Sequence, residues 1–280
     1  MHNTPLLTII TIARNAEGTI SDTLLSVKAV SERLLDADFK LEYLCIVSPS
    51  DDSTWTLIND FQSNNAFCEL INFQPLGVYK AMNEGLRRSS GLFTHLLNAD
   101  DVIYNPDEYL NSILKLHRCN RSVLVSSIVY FSRPSNRIVY SWLVSNYSNK
   151  IEFIKKLKRG LHFPHPGFIV KTDIYQQFMF DERLSCAADY KCMHQVLLLA
   201  AHNDSIIFQE KPSVAMDISG ITGSLAGILK GKAEIQSINT ELNIAPNIFG
   251  RYFQKFFSRY ILSIFDSRSY QQIIPSKDKH

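Results

Sequence analysis

Leu92-Phe93-Thr94-His95-Leu96-Leu97-Asn98-Ala99-Asp100-Asp101 is an apolar run that ends abruptly in an amide and two adjacent carboxylates. The run reads as a strand buried on both faces. Two neighbouring acids at a strand end repel each other, and hard oxygen ligands suit a divalent cation such as Mg²⁺ or Mn²⁺. The plain alternative is that Asp100 and Asp101 open a solvated loop.

Working outward, the first half alternates strand and helix patterns. Leu6 to Ile12 and Leu41 to Val47 are further buried strands, and Glu69 to Phe73 is a third. Between them lie a helix begun at Thr19, with Asp22 at the capping-box position, and a short helix through Leu57, Ile58 and Phe61. Ile20, Leu24, Val27, Ser31 and Leu34 form the inner face of the first. Val78 to Arg88 is helical, and Asn105-Pro106 opens another helix with Asn as N-cap and Pro at the first position. This rhythm predicts an α/β fold with an open, mostly parallel sheet flanked by helices. Ligands of such sheets bind beyond the carboxyl ends of the strands. The turns Ala13 to Glu17, Ser48 to Ser53 and Asn98 to Asp101 are therefore expected to share one crevice.

The second half changes character. Ser122 to Phe131 and Arg137 to Leu143 flank a hairpin turn, Arg133-Pro134-Ser135-Asn136. Lys150 to Arg159 is basic and helical in pattern, Gly160 to Pro166 is a loop with two histidines, and Cys186 to Ala201 is helical. Ile206 to Phe208 and Ser213 to Met216 read as two short strands. From about Leu225 the pattern is helical again.

The 280 residues are 45% apolar and 20% charged, with 29 Lys and Arg against 27 Asp and Glu, an ordinary globular balance. No basic-aromatic groove points to nucleic acid. No secretory leader is recognisable, and no apolar stretch reaches the ~18 residues of a spanning helix. Five scattered cysteines without CxxC spacing fit reduced thiols, and a cytoplasmic location is expected. A dinucleotide fingerprint and a P-loop are both absent.

Four ordered segments carry a resemblance to family 2 glycosyltransferases of the GT-A fold, of the bacterial surface-polysaccharide type. Thr8 to Ala16 resembles the opening strand and nucleotide turn, and Gly77-Val78-Tyr79-Lys80-Ala81-Met82-Asn83-Glu84-Gly85 the family's G-I-Y-D-A-M-N-x-G. Leu97-Asn98-Ala99-Asp100-Asp101 resembles the DxD-type motif. His165-Pro166-Gly167-Phe168, Phe180-Asp181-Glu182 and Ala187-Ala188-Asp189-Tyr190 resemble the acceptor-side block. The similarity spans roughly residues 5 to 220.

The resemblance implies inverting transfer from a nucleotide-diphosphate sugar to a hydroxyl of a glycan or lipid-linked oligosaccharide. It implies Asp189 as catalytic base and Asp100 as the ligand of Mg²⁺ or Mn²⁺. Thr11, Ala13, Asn15, Glu17, Ser48, Asn83, Asn98 and Asp100 would face the nucleotide-sugar, and His165 the acceptor. Asp189 also suits the start of a helix on dipole grounds alone, and Asn15 suits a turn. Asp101 would support Asp100 from behind or, the favoured reading, cap the following turn. The implied layout is a GT-A domain over 1–224, with nucleotide-sugar and acceptor halves meeting near 105, and a C-terminal helical extension over 225–280. Ser48, Lys80 and Phe73-Gln74-Pro75-Leu76 depart from the family pattern. A nucleotidyltransferase and a non-catalytic sugar-nucleotide-binding relative remain alternatives.

Two segments are less specific. Asp217 to Thr222 resembles a segment that closes over the site, and a plain turn explains it as well. Asn247 to Tyr270 interleaves aromatics with Arg251, Lys255, Arg259 and Arg268, fitting peripheral membrane contact, core packing or a second subunit.

Overall fold

The chain is described by a computed structural model over residues 4–74, 77–218, 225–245 and 273–274. Its first half follows the strand and helix pattern closely. Strands β1 (Leu7–Ala13), β2 (Leu41–Val47), β3 (Cys68–Asn72) and β4 (Phe93–Leu96) alternate with helices α1 (Ile20–Asp36), α2 (Thr54–Ser63) and α3 (Val78–Arg88). All pairings among these four strands are parallel. A short β5 (Val102–Ile103) and α4 (Pro106–Arg118) follow, and the Asn105 side chain caps α4 by accepting from the Glu108 N–H.

β1 shows why this layer is stable. Leu7 and Ile9 face one apolar cluster with α1 and α4, and Ile10 faces another with α3. All three are fully buried. α3 approaches so closely that a Cβ on Gly85 would stand 2.5 Å from Ile10 Cγ2.

Beyond β4 the sheet becomes mixed. Its order is β3-β2-β1-β4, then β8 (Phe168–Lys171), β6 (Val123–Ser132), β9 (Ile206–Asp217) and β5, with β7 (Arg137–Trp142) beside β6. β6 (Val123–Ser132) and β7 (Arg137–Trp142) form the expected hairpin, followed by α5 (Lys150–Leu157). β8 (Phe168–Lys171) enters antiparallel between β4 and β6. α6 (Thr172–Gln177), α7 (Ala188–His202), β9 (Ile206–Asp217) and α8 (Leu225–Glu241) complete the described elements. β5, β8 and α6 are too short to carry a periodicity of their own. The two halves therefore share one continuous sheet.

Two expectations need correction. The pair of short strands after α7 is one strand, β9. Ser126 pairs with Gln209 and Ile128 with Val214, so Glu210–Ser213 bulge out against Ser127 alone. The capping box of α1 does not form. Thr19 makes no side-chain cap, and Asp22 turns instead to Arg133 in the hairpin turn. The expected tail, Asn247 to Tyr270, lies outside the described residues. So do Pro75, Leu76 and the Ser219 to Thr222 part of the closing segment.

α8, the start of the expected extension, is not detached. Ile238 and Ile244 pack with Ala187 and Tyr190 of the α7 region. Among the described residues, no helix is long and apolar enough to cross a membrane.

Candidate active site

The turns after β1 and β2 are stitched together. Asn15 adopts a left-handed φ of 50°, and its Oδ1 accepts from the Asp51 N–H at 2.9 Å. The Asn15 N–H donates to Ser50 Oγ, and the Ala16 N–H to Thr54 Oγ1 at 2.7 Å. The Glu17 N–H donates to Asp52, while Glu17 Oε2 accepts from the Ser53 N–H, each at 3.0 Å. The Ser48 N–H donates to the Ala13 carbonyl. Asn15 and Glu17 thus use their side chains to hold one turn against the other. Thr11 is a core residue: it is fully buried, and its Oγ1 accepts from Tyr43 OH at 3.0 Å. Its side chain is therefore not presented to a nucleotide.

The acidic turn is held from three sides. Thr23 Oγ1 on α1 lies 3.1 Å from the Ala99 carbonyl and 2.8 Å from that of Asp101. Arg133 donates to the Asp100 carbonyl at 2.9 Å and to Asp217 at 2.7 Å, and it also pairs with Asp22. Asp217 is fully buried. Asn98 Nδ2 donates to Asp101 Oδ2 at 3.0 Å. Asp101 neither caps the following turn nor sits in water: it is fully buried, and its Oδ1 has no hydrogen-bond partner among the described residues. Burial pushes the Asp101 carboxyl well above the ordinary range, and the Asp100 charge adds to this. Burial also raises Asp100, with Asp217 adding to the shift and Arg133 opposing it.

A divalent cation fits this chemistry. A buried carboxylate oxygen lacks a partner, and two adjacent acids are driven toward their neutral forms unless positive charge arrives. Among the described residues no group of three or more His, Cys, Asp or Glu could hold a metal alone. An ion at Asp100 would therefore draw the rest of its shell from a ligand's phosphates and from water.

Asp189 sits in the first turn of α7, where the helix dipole favours a carboxylate. Tyr79 OH on α3 donates to its Oδ1 at 3.2 Å. His165, on a 3₁₀ turn over His165–Gly167, lies 3.3 Å from Tyr175 OH and edge-on to Phe180. Burial lowers the His165 pKa, and the Asp189 charge opposes that shift. A pocket of about 110 Å³ beside Asp189 is lined by His162, Tyr190, His194 and Ile235, among others. Glu234 on α8 secures this end of α7: its carboxylate accepts from the backbone N–H groups of Ser185, Cys186 and Ala187 at 2.8–3.0 Å.

Asn83 acts as a clamp between α3 and the Phe180–Glu182 turn. It is buried; its Oδ1 accepts from the Phe180 N–H, and its Nδ2 donates to the Phe180 carbonyl and Glu182, all at 2.9 Å. Both ends of the amide are already engaged. Arg133 and Glu234 are absent from the sequence-based site. Each lies far along the chain from what it holds, and neither carries a local pattern that would mark it.

The family model for glycosyl transferase family 2 matches residues 8–179. The chain belongs to glycosyl transferase family 2. A curated relative, an uncharacterized glycosyltransferase of Methanocaldococcus jannaschii, is 27% identical over 146 residues, covering 51% of this chain and 49% of that one. The chain thus spans about half the length of that relative. The crystal structure of S. aureus TarS 1-349 in complex with UDP superposes with a TM-score of 0.62 at 17% identity, covering 93% of this chain and 75% of that one. The mannosyltransferase PcManGT from Pyrobaculum calidifontis, in complex with GDP-Man and Mn²⁺, gives 0.59 at 14%, covering 94% and 71%. Glucosyl-3-phosphoglycerate synthase from Mycobacterium tuberculosis, with Mn²⁺, UDP and glucosyl-3-phosphoglycerate, gives 0.58 at 12%, covering 87% and 81%. These likenesses identify the family 2 chain's fold as GT-A.

Proposed function

We propose that this family 2 chain transfers a sugar, with inversion, from a nucleotide-diphosphate sugar to a hydroxyl of a glycan or lipid-linked oligosaccharide, in cell-surface polysaccharide synthesis. Asp189 takes the proton of the acceptor hydroxyl, whose oxygen attacks the anomeric carbon. The bond from that carbon to the diphosphate breaks, and the nucleoside diphosphate leaves. A Mg²⁺ or Mn²⁺ held by Asp100 would stabilise the charge on the departing diphosphate. Asp101 is the buried neighbour of Asp100, and the turns at Ala13 and Ser48 border the nucleotide. His165 orients the acceptor. The layout of a GT-A domain with an α-helical extension belongs to the same reading.

What carries this reading is the position of Asp189: a carboxylate at a helix N-terminus, beside a pocket, held by a tyrosine from the helix after Gly77. A thermal-shift panel of nucleotide-sugars with and without Mn²⁺ tests it. One donor should stabilise the protein selectively and in a metal-dependent way. A flat response to every donor would count against both catalysis and sugar-nucleotide binding.

A further inference from the structure

α5 presents a surface that the transfer reaction does not use. Its inner residues, Phe153 and Leu157, belong to the same apolar cluster as Ala188, Cys192 and Val196 of α7. On the opposite face Ile151, Lys155 and Lys158 follow at i, i+4 and i+7, and all three are exposed. Ile151 is 67% exposed. Between residues 150 and 159 stand five cations, Lys150, Lys155, Lys156, Lys158 and Arg159, against Glu152 alone. Glu152 is already paired with Lys156 at 2.8 Å. Over the whole chain 29 cations face 27 acids, so outside this segment acids outnumber cations. α5 and the two residues after it thus carry a local excess of positive charge.

We propose that the exposed face of α5 is a contact surface for an anionic lipid bilayer. An aliphatic side chain standing among ammonium groups suits the boundary between headgroups and acyl chains. Nucleic acid would satisfy the cations but not the projecting Ile151 side chain, which offers no base-stacking platform. Charge also disfavours cover by the chain's own tail. The Ala245 N–H donates to the Lys158 carbonyl at 2.8 Å, so the chain passes the end of α5 there. The sequence from 246 to 272 carries Arg251, Lys255, Arg259 and Arg268 against Asp266 alone. Two cationic segments repel each other, whereas each is attracted to the same anionic surface. Bilayer binding is independent of the chemistry assigned to Asp189, so either can fail without the other.

Vesicle flotation of the full chain tests the surface, using phosphatidylcholine with phosphatidylglycerol against phosphatidylcholine alone. The unaltered protein should float with the anionic vesicles only and be released by salt. K155E/K158E should weaken binding by at least about 25-fold, at roughly fivefold per cation removed. I151D should weaken it several-fold, with unchanged melting temperatures for both variants. Failure of the unaltered protein to bind anionic vesicles overturns the proposal. So does wild-type binding by both variants, which would assign the contact to another segment. Retention on a polyanion column without vesicle binding would also overturn it, in favour of nucleic acid.

Discussion

The Tyr79 hydroxyl donates to Asp189 Oδ1 across 110 positions of sequence, joining α3 to α7. Burial, and then the Asp189 charge, push the Tyr79 phenol far above its ordinary range, so the phenol stays protonated and remains a donor. Asp189→Asn should lower kcat by about 10²–10⁴-fold, with donor binding kept. Tyr79→Phe should lower kcat by about tenfold through loss of one hydrogen bond to a charged group, with donor KM unchanged. Steady-state kinetics check both, and full transfer by a folded Asp189→Asn protein would remove Asp189 as the base.

Asp100 should govern metal binding. Mn²⁺ together with a nucleoside diphosphate should raise the melting temperature, by the equivalent of about 2.7 kcal/mol at 100-fold excess over Kd. Asp100→Ala should abolish the metal-dependent part. Chelator that leaves donor binding and turnover intact would exclude this role.

Arg133 joins Asp22, Asp217 and the Asp100 carbonyl. Arg133→Met leaves two carboxylates without their cation and should cost about 3–5 kcal/mol in urea unfolding. Adding Asp217→Asn should recover part of the loss, a coupling that a double-mutant cycle measures.

Asn83→Ala removes three hydrogen bonds that hold Phe180 and Glu182. The expected loss is about 3 kcal/mol of stability, with donor KM unchanged in the folded fraction. A raised donor KM at unchanged stability would restore Asn83 to the nucleotide site.

His95 is fully buried, with Nε2 2.9 Å from the Pro166 carbonyl and Nδ1 2.8 Å from Tyr109 OH. Burial lowers its pKa to about 4. The unfolded chain, with an ordinary histidine near 6.5, then binds the proton first as pH falls. Stability should fall from about pH 6.5 toward 4, by about 3 kcal/mol in total. Urea titrations across this range should show the decline, and His95→Gln should flatten that component.

The first half was legible because buried strands and amphipathic helices carry their own periodicity. Leu41 to Val47 and Val78 to Arg88 match β2 and α3 in full. Prediction failed where pairing, not pattern, makes the element. β8 has only four residues and exists because β4 and β6 flank it. β9 looked broken because Glu210-Lys211-Pro212 is polar and lacks one donor, yet β6 carries the ladder past the bulge.

By itself the sequence determined an α/β chain with a carboxylate-ended strand and an ordered set of family 2 segments, since these follow from local period and residue chemistry. Tertiary structure alone decided which polar groups are spent. Asn83 became a clamp, Thr11 a core residue and Asp101 a buried acid. Arg133 and Glu234 entered the neighbourhood of the site from distant elements. Hydrogen-bond partners and burial depend on what the fold brings opposite each side chain, and no spacing along the chain contains that information.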